Sequence, residues 1–140
     1  MLKKATTMKL HIYSQTTFAE INRFFRSQFP YLQLRFFTEP QKEGEGSYAL
    51  DMIHDVESAC ESPGAADFIA DETLTSAQLE SWFARELGLF VQVFRKSGGV
   101  WLETTKSGDN HTLAELNKKG REHEIKPRAE VPKSDFREQM

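Results

Sequence analysis

His54, Asp55 and Cys60 are the side chains of this sequence whose types and closeness along the chain suggest chemistry. Imidazole, carboxylate and thiolate groups bind zinc, and a thiolate beside a histidine can act as a nucleophile. Their spacing matches no common zinc motif, and a further ligand would have to come from elsewhere in the chain. We therefore predict structural roles for these residues, with no catalytic residue, no metal site and no cofactor.

The remaining short motifs predict turns. Residues 44–46 (GEG) lack the lysine of a phosphate-binding loop and place an acidic residue between the glycines. Residues 96–99 (KSGG) are typical of a hairpin turn, and residues 109–111 (DNH) of turn chemistry before a helix. A site assembled from distant residues stays compatible with this sequence. The alternative hypothesis is a small-molecule binder or enzyme with a pocket between the sheet and residues 48–71.

Composition is that of an ordinary globular domain, with 39% hydrophobic and 28% charged residues among 140. We predict one α+β domain over residues 1–120 and a charged, flexible tail over residues 121–140. No apolar run approaches the roughly 20 residues that span a bilayer. One cysteine and no signal-peptide pattern predict a cytoplasmic protein. The net charge of −3 disfavours binding to an anionic membrane and makes nucleic acid an unlikely partner, because both attract basic proteins.

The first third of the chain has the pattern of a strand, a helix and a second strand. Residues 9–13 alternate, and Thr17 with Glu20 has the spacing of a capping box. Pro30 ends the predicted helix, and residues 31–37 alternate again. The apolar stripe of the helix consists of Phe18, Ile21, Phe24, Phe25 and Phe29.

A similar pattern follows a polar loop at residues 41–47, an ambiguous segment at 48–56 and an irregular one at 57–64. Residues 67–70 (DFIA) form a short, mainly apolar run, Thr75 and Gln78 repeat the capping spacing, and Gly88 suits a helix end. Residues 89–104 predict a hairpin. Thr112 and Glu115 then predict a short third helix that ends at Gly120. The paired aromatic dipeptides at residues 24–25 and 82–83 favour an internal repeat, although any two amphipathic helices followed by strands would align similarly.

This order of elements predicts an α+β fold with a split β-α-β, ferredoxin-like sheet and both main helices on one face. An added C-terminal hairpin strand and a short third helix complete the prediction. A β-grasp-like sheet crossed by one helix is the alternative.

Two segments resemble a conserved family of bacterial proteins of uncharacterised function. They are residues 24–40 (FFRSQFPYLQLRFFTEP) and residues 91–105 (VQVFRKSGGVWLETT), with Thr112 and Leu113 beyond the second. The resemblance covers most of the chain before the tail. It implies a bacterial protein and carries no catalytic or ligand-binding residues.

Strand alternation predicts which residues lie under the helices and which lie on the opposite face. The residues predicted under the helices are Leu32, Leu34, Phe36, Val91, Val93, Val100 and Leu102. The opposite face, here called the outer sheet face, contains Tyr31, Gln33, Arg35, Phe37, Phe90, Gln92, Phe94, Trp101 and Glu103.

Aromatic rings with Gln and Arg among them are typical of recognition surfaces, so we predict that all of the outer sheet face except Glu103 binds a partner. The expected function is a non-catalytic protein-interaction or self-association module, with another protein or a second copy of the chain as partner. Residues 41–71 or the tail could instead fold across this face. Single-stranded nucleic acid stacked on the rings is a third possibility, disfavoured by the acidic balance.

Overall fold

The computed structural model describes residues 8–37, 49–59, 64–104 and 111–130, which form a mixed fold of four helices and two antiparallel sheets. The N-terminal elements are β1 (Lys9–Ile12), α1 (Phe18–Gln28), β2 (Leu32–Phe37) and α2 (Val56–Ala59). The C-terminal elements are β3 (Ala66–Ile69), α3 (Ser76–Leu87), β4 (Phe90–Ser97), β5 (Val100–Glu103) and α4 (Leu113–Glu130). None of the described helices is long and apolar enough to cross a membrane.

Three capping boxes begin the long helices, and all three sequence predictions are confirmed. The Thr17 hydroxyl accepts from the Glu20 amide at 3.1 Å, and the Glu20 carboxylate accepts from the Thr17 amide at 2.8 Å. The same reciprocal pair joins Thr75 to Gln78 at the start of α3, and Thr112 to Glu115 at the start of α4. Each box satisfies amides that the first helical turn leaves without partners.

Phenylalanine rings from both halves of the chain meet in the core. Phe18 of α1 stacks on Phe36 of β2 with ring centroids 4.3 Å apart, and Phe83 of α3 contacts both Phe36 and Phe68 of β3. All four rings are buried, so α1 and α3 pack against strands of both sheets. The burial of such rings is the main favourable contribution to folding, at roughly 25 cal/mol per Å² of apolar area.

The strands pair differently from the single ferredoxin-like sheet that the sequence predicts. β1 pairs with β3, and β2 pairs with β4, which carries β5 on its other side. The outer edge of β2 is occupied by other groups: the Leu34 amide donates to the Asn22 side chain, and the Phe36 carbonyl accepts from the Leu50 amide. These contacts occupy the edge that another strand of a single sheet would need. The β-grasp-like alternative does not fit either, because both α1 and α3 pack on the strands.

Polar contacts in the first half of the chain recur in the second half between residues whose numbers are higher by 58, so that residue 17 corresponds to residue 75. Farther along the chain the offset is 57 or 59. Three pairs of backbone hydrogen bonds, each from an amide to a carbonyl, show this. The Thr16 amide donates to Tyr13, as the Leu74 amide does to Asp71, and the Val56 amide donates to Thr16, as the Leu113 amide does to Leu74. The Glu57 amide donates to Ser14, as the Ala114 amide does to Glu72. The strand partners obey the same relation, since Leu10 lies opposite Phe68 and Leu34 opposite Val93.

Burial confirms five of the seven residues predicted under the helices and corrects two. Val100 and Leu102 are 55% and 43% exposed, although they share a face with buried Val91 and Val93. The helices pack on β2 and β4, and β5 is the outermost strand. Alternation thus assigned the correct side of the sheet to β5, but the described helices pack on β2 and β4 and leave this side of β5 exposed. The five buried residues are Leu32, Leu34, Phe36, Val91 and Val93.

The last helix also corrects a prediction, because α4 continues through Gly120 to Glu130. Gly120 is buried, and a Cβ there would lie 2.8 Å from the Tyr31 Cβ and 3.2 Å from the Lys96 carbonyl oxygen. The glycine therefore permits α4 to approach the sheet closely, and it does not end the helix. The predicted boundary at residue 120 falls inside α4, so the tail predicted for residues 121–140 begins as helix; residues 131–140 lie outside the described part.

Candidate interaction surface

The outer sheet face is assembled from three neighbouring strands. Directly opposite residues share a face, and the register places Gln33 opposite Phe94, and Arg35 opposite Gln92. Phe37 lies opposite Phe90, and Glu103 opposite Phe94 on its other side. Tyr31 precedes β2 and its carbonyl accepts from the Lys96 amide, which continues the pairing. The structure thus brings together the residues of the outer sheet face.

The chain itself covers part of this face. Phe37 and Phe94 are only 6% and 7% exposed. Six other residues of the face are partly buried, and Glu103 is exposed. Sequence alone predicts that Phe37 and Phe94 are uncovered, and the burial of these two rings corrects that expectation. The partly buried residues are Tyr31, Gln33, Arg35, Phe90, Gln92 and Trp101.

Cationic side chains stack on the rings of this face. The Arg35 guanidinium lies 4.3 Å from the centre of the Phe94 ring. Lys96 Nζ lies 5.2 Å from the centre of the Trp101 ring, and the Arg26 guanidinium lies 5.3 Å from the same ring. A cation over an aromatic face gains about 0.5–1 kcal/mol when exposed, and tryptophan binds cations best. The rings therefore hold three positive charges in defined places.

Two of these cations are missing from the sequence prediction. The sequence predicts Lys96 in the hairpin turn, but β4 extends to Ser97 and places Lys96 opposite Trp101. Arg26 lies on α1, and strand alternation cannot reveal a helical residue that reaches the sheet. In the structure Arg26 follows Asn22 by one helical turn, on the side of α1 that contacts β2, and the sequence does not reveal that contact.

These positive charges lack carboxylate partners within the described part of the chain. The ion pairs there join Lys9 and His11 to Asp67, Arg85 to Glu86, and His111 to Glu115. None of them includes Arg26, Arg35 or Lys96.

A second feature of the face is the Gln92 side-chain oxygen, which is buried with no hydrogen-bond partner among the described residues. Buried polar atoms without partners are uncommon in folded proteins.

An open groove of about 530 Å³ adjoins this cationic region through Arg26. Arg23 and Arg26 supply its charge, and both are exposed. The Asn22 side chain, also in the groove wall, accepts from the Leu34 amide at 2.8 Å and is thereby fixed. The groove is lined by Ala19, Asn22, Arg23, Arg26, Ser27, Pro30 and Met52.

His54 and Asp55 do not line this groove. The exposed His54 contributes its carbonyl to the Phe18 amide, and the Asp55 carboxylate accepts from the Ser58 amide at 2.9 Å, as a cap of α2. Cys60 lies outside the described residues. The groove lies along α1 and includes Met52 of the segment 48–71. The pocket predicted between the sheet and residues 48–71 stays a prediction, because part of that segment lies outside the described residues. Across residues 8–37, 49–59, 64–104 and 111–130, no three His, Cys, Asp or Glu residues are grouped to hold a metal ion.

Comparison with known proteins adds no further constraint: the chain matches no protein-family model, no curated protein and no solved structure.

Proposed function

We propose that this protein is a non-catalytic interaction module that binds another protein, or a second copy of itself, through the outer sheet face. The observation that carries the proposal is the stacking of Arg26 and Lys96 on the partly buried Trp101 ring, without a carboxylate partner among the described residues. Tryptophan and arginine are the residues most enriched among the energetic centres of protein interfaces.

The fixed geometry of the face also supports a binding role. Trp101 projects from the outermost strand of its sheet, opposite Lys96, and the Arg35 side chain rests on buried Phe94. A partner would meet side chains that are already positioned, which lowers the conformational entropy lost on binding.

We also propose that the two halves derive from one repeated strand–helix–strand unit. The support is the recurrence of the contacts described above, including one that ties helix to strand. The Leu34 amide donates to Asn22, and the Val93 amide donates to Glu80. Matching caps follow in each half, since Asp55 accepts from the Ser58 amide as Thr112 does from the Glu115 amide. The single cysteine and the family resemblance support a role in the bacterial cytoplasm.

The test compares Trp101→Ala with Tyr13→Ala, which removes another aromatic side chain at an exposed position directly after β1, in the other sheet's half of the fold. Light scattering after size exclusion measures self-association, and immobilised protein recovers partners from a lysate of the organism that encodes the chain. We expect Trp101→Ala to lose a dimer or a specific partner that wild type and Tyr13→Ala retain. Monomeric behaviour and identical recovered proteins for all three would contradict the proposal.

A further inference from the structure

We infer that the partner presents an acidic segment, whose carboxylates bind the cations held on the Trp101 and Phe94 rings and in the groove along α1. This inference rests on the proposed function and names the chemistry of its partner. The site comprises Arg23, Arg26, Arg35 and Lys96 with Trp101 as its central ring.

Charge complementarity is the first argument. The chain carries 21 acidic and 18 basic residues, for a net charge of −3. This one surface nevertheless holds four of the basic residues against one carboxylate of the outer sheet face, that of Glu103. None of the four takes part in the ion pairs of the described residues. Such local excess of one sign steers partners of the opposite sign and selects against others.

The stacking geometry is the second argument. A guanidinium that rests its face on an aromatic ring keeps its N–H groups at the rim, where they can donate to a carboxylate. Arg26 contacts the Trp101 ring and also lines the groove, so the ring and the groove form one continuous surface. Arg23 extends the positive charge along the same helix. An extended acidic segment can therefore contact Lys96, Arg26 and Arg23 in turn.

The arrangement favours an acidic peptide over single-stranded nucleic acid. Stacked bases need open ring faces, whereas the Phe94 ring is buried and the Trp101 ring is already contacted by two cations. A protein that neutralises about 6–10 phosphates needs a larger basic surface than four cations on an acidic chain. The carboxylates of a short peptide segment match four separate cations better than the phosphates of a nucleic-acid strand do.

The experiment uses the full chain with Trp82→Phe, so that tryptophan fluorescence reports Trp101 alone. The probe is a short polyglutamate peptide with one central phenylalanine. The comparison probes are the matching polyglutamine peptide and an oligothymidylate of the same length. We expect the acidic peptide to change the Trp101 emission and to bind more tightly than either comparison probe. Its affinity should fall as ionic strength rises from about 0.01 to 0.15 M, because the Debye length falls from about 30 to about 8 Å.

Charge reversal identifies the residues responsible. Arg26→Glu with Lys96→Glu should weaken binding of the acidic peptide by about tenfold or more, because two attractive contacts become repulsive. Lys118→Glu with Lys119→Glu makes the same change in net charge at exposed positions of α4 and should leave affinity within about twofold. Circular dichroism on both variants verifies that each is folded.

Three results would overturn the inference: equal affinity for the acidic and polyglutamine peptides, tighter binding of oligothymidylate, or unchanged affinity in the Arg26→Glu, Lys96→Glu variant. If any of these occurs while Trp101→Ala still loses its dimer or partner, the acidic-segment inference fails and the interaction function stands. If Trp101→Ala also changes nothing, the proposed function fails as well.

Discussion

Leu34 and Val93 lie directly opposite each other in β2 and β4, and each donates its amide to a side chain from the helix of its own half. The acceptors are Asn22 on α1, at 2.8 Å, and Glu80 on α3, at 3.1 Å. Because the two opposed amides point away from each other, the pairing strand cannot satisfy them. The helices thus stabilise the sheet through polar contacts as well as through the aromatic core.

Removing the Asn22 acceptor should destabilise the fold. In Asn22→Leu the amide of buried Leu34 loses its partner, and an unsatisfied buried amide costs about 1–3 kcal/mol. The measurement is the free energy of unfolding from urea denaturation, with an unchanged denaturant dependence showing that the compactness of both states is preserved. Asn22→Asp keeps an acceptor at the same place and should recover most of the loss. Equal stability of Asn22→Leu and wild type would show that this hydrogen bond contributes nothing.

The exposure of β5 allows the same leucine substitution to be compared at a buried and at an exposed position of one side of the sheet. Leu32→Ala removes a fully buried side chain and should cost about 2–5 kcal/mol, through lost burial and the cavity that remains. Leu102→Ala makes the same chemical change at a residue that is 43% exposed, on the same side of the sheet, and should stay within about 0.5 kcal/mol. Thermal and urea unfolding of both variants measure the difference. A large loss in Leu102→Ala would mean that β5 is covered on this side.

Features set by neighbouring residues were predictable from the sequence. The capping pairs at Thr17, Thr75 and Thr112 depend on a spacing within one helical turn, so the sequence alone reveals them. The hairpin turn needs two residues that accept positive φ, and Gly98 and Gly99 adopt 54° and 98°. Alternation likewise assigns Leu34 and Val93 to the core side of the sheet.

Features set by distant residues were not predictable in the same way. Whether β2 pairs with β3 or with β4 depends on which strand reaches its edge, and the local pattern of either pairing is the same. The burial of Phe37 and Phe94 and the approach of Arg26 to Trp101 also depend on tertiary packing. A glycine within a helix is usually unfavourable, so the sequence predicts a helix end at Gly120, and only the close approach of α4 to Tyr31 explains the glycine.

Gly120→Ala should therefore destabilise the protein, although alanine favours helix by about 1 kcal/mol relative to glycine. The added Cβ would lie 2.8 Å from the Tyr31 Cβ and 3.2 Å from two backbone carbonyl oxygens, so α4 or the start of β2 must shift. Forcing extra volume into a packed contact costs about 1–3 kcal/mol, and the net effect should be a loss of stability.

The shift should also weaken the contacts that dock α4. Asn117 Oδ1 accepts from the Tyr31 amide at 2.8 Å, so hydrogen exchange of that amide should accelerate in Gly120→Ala. Lys118→Ala is the control, because its side chain is exposed and the change should stay within about 0.5 kcal/mol. Stabilisation by Gly120→Ala would show that the helix preference outweighs the contact with Tyr31.

His11 and Asp67 face each other across β1 and β3, and their interaction predicts a pH effect. The His11 ring nitrogen lies 2.7 Å from the Asp67 carboxylate, and this hydrogen bond is the main reason that the pKa of Asp67 is lowered from its ordinary value of 3.8. A carboxyl whose pKa is lower in the folded state stabilises the fold above its unfolded pKa. That contribution is lost as the pH falls through the folded pKa.

We expect His11→Ala to raise the pKa of Asp67 towards 3.8. The variant should then lose less stability than wild type as the pH falls from 3.8 to the lower pKa that Asp67 has in the folded wild type. Lys9, whose Nζ lies 3.7 Å from the same carboxylate, is a weaker cause, so Lys9→Ala should raise this pKa less. The measurement is an NMR titration of the Asp67 carboxyl carbon in the three proteins. Because the pair is solvent-exposed, stability at neutral pH should change little in either variant. An unchanged Asp67 titration in His11→Ala would show that the two side chains do not interact in solution.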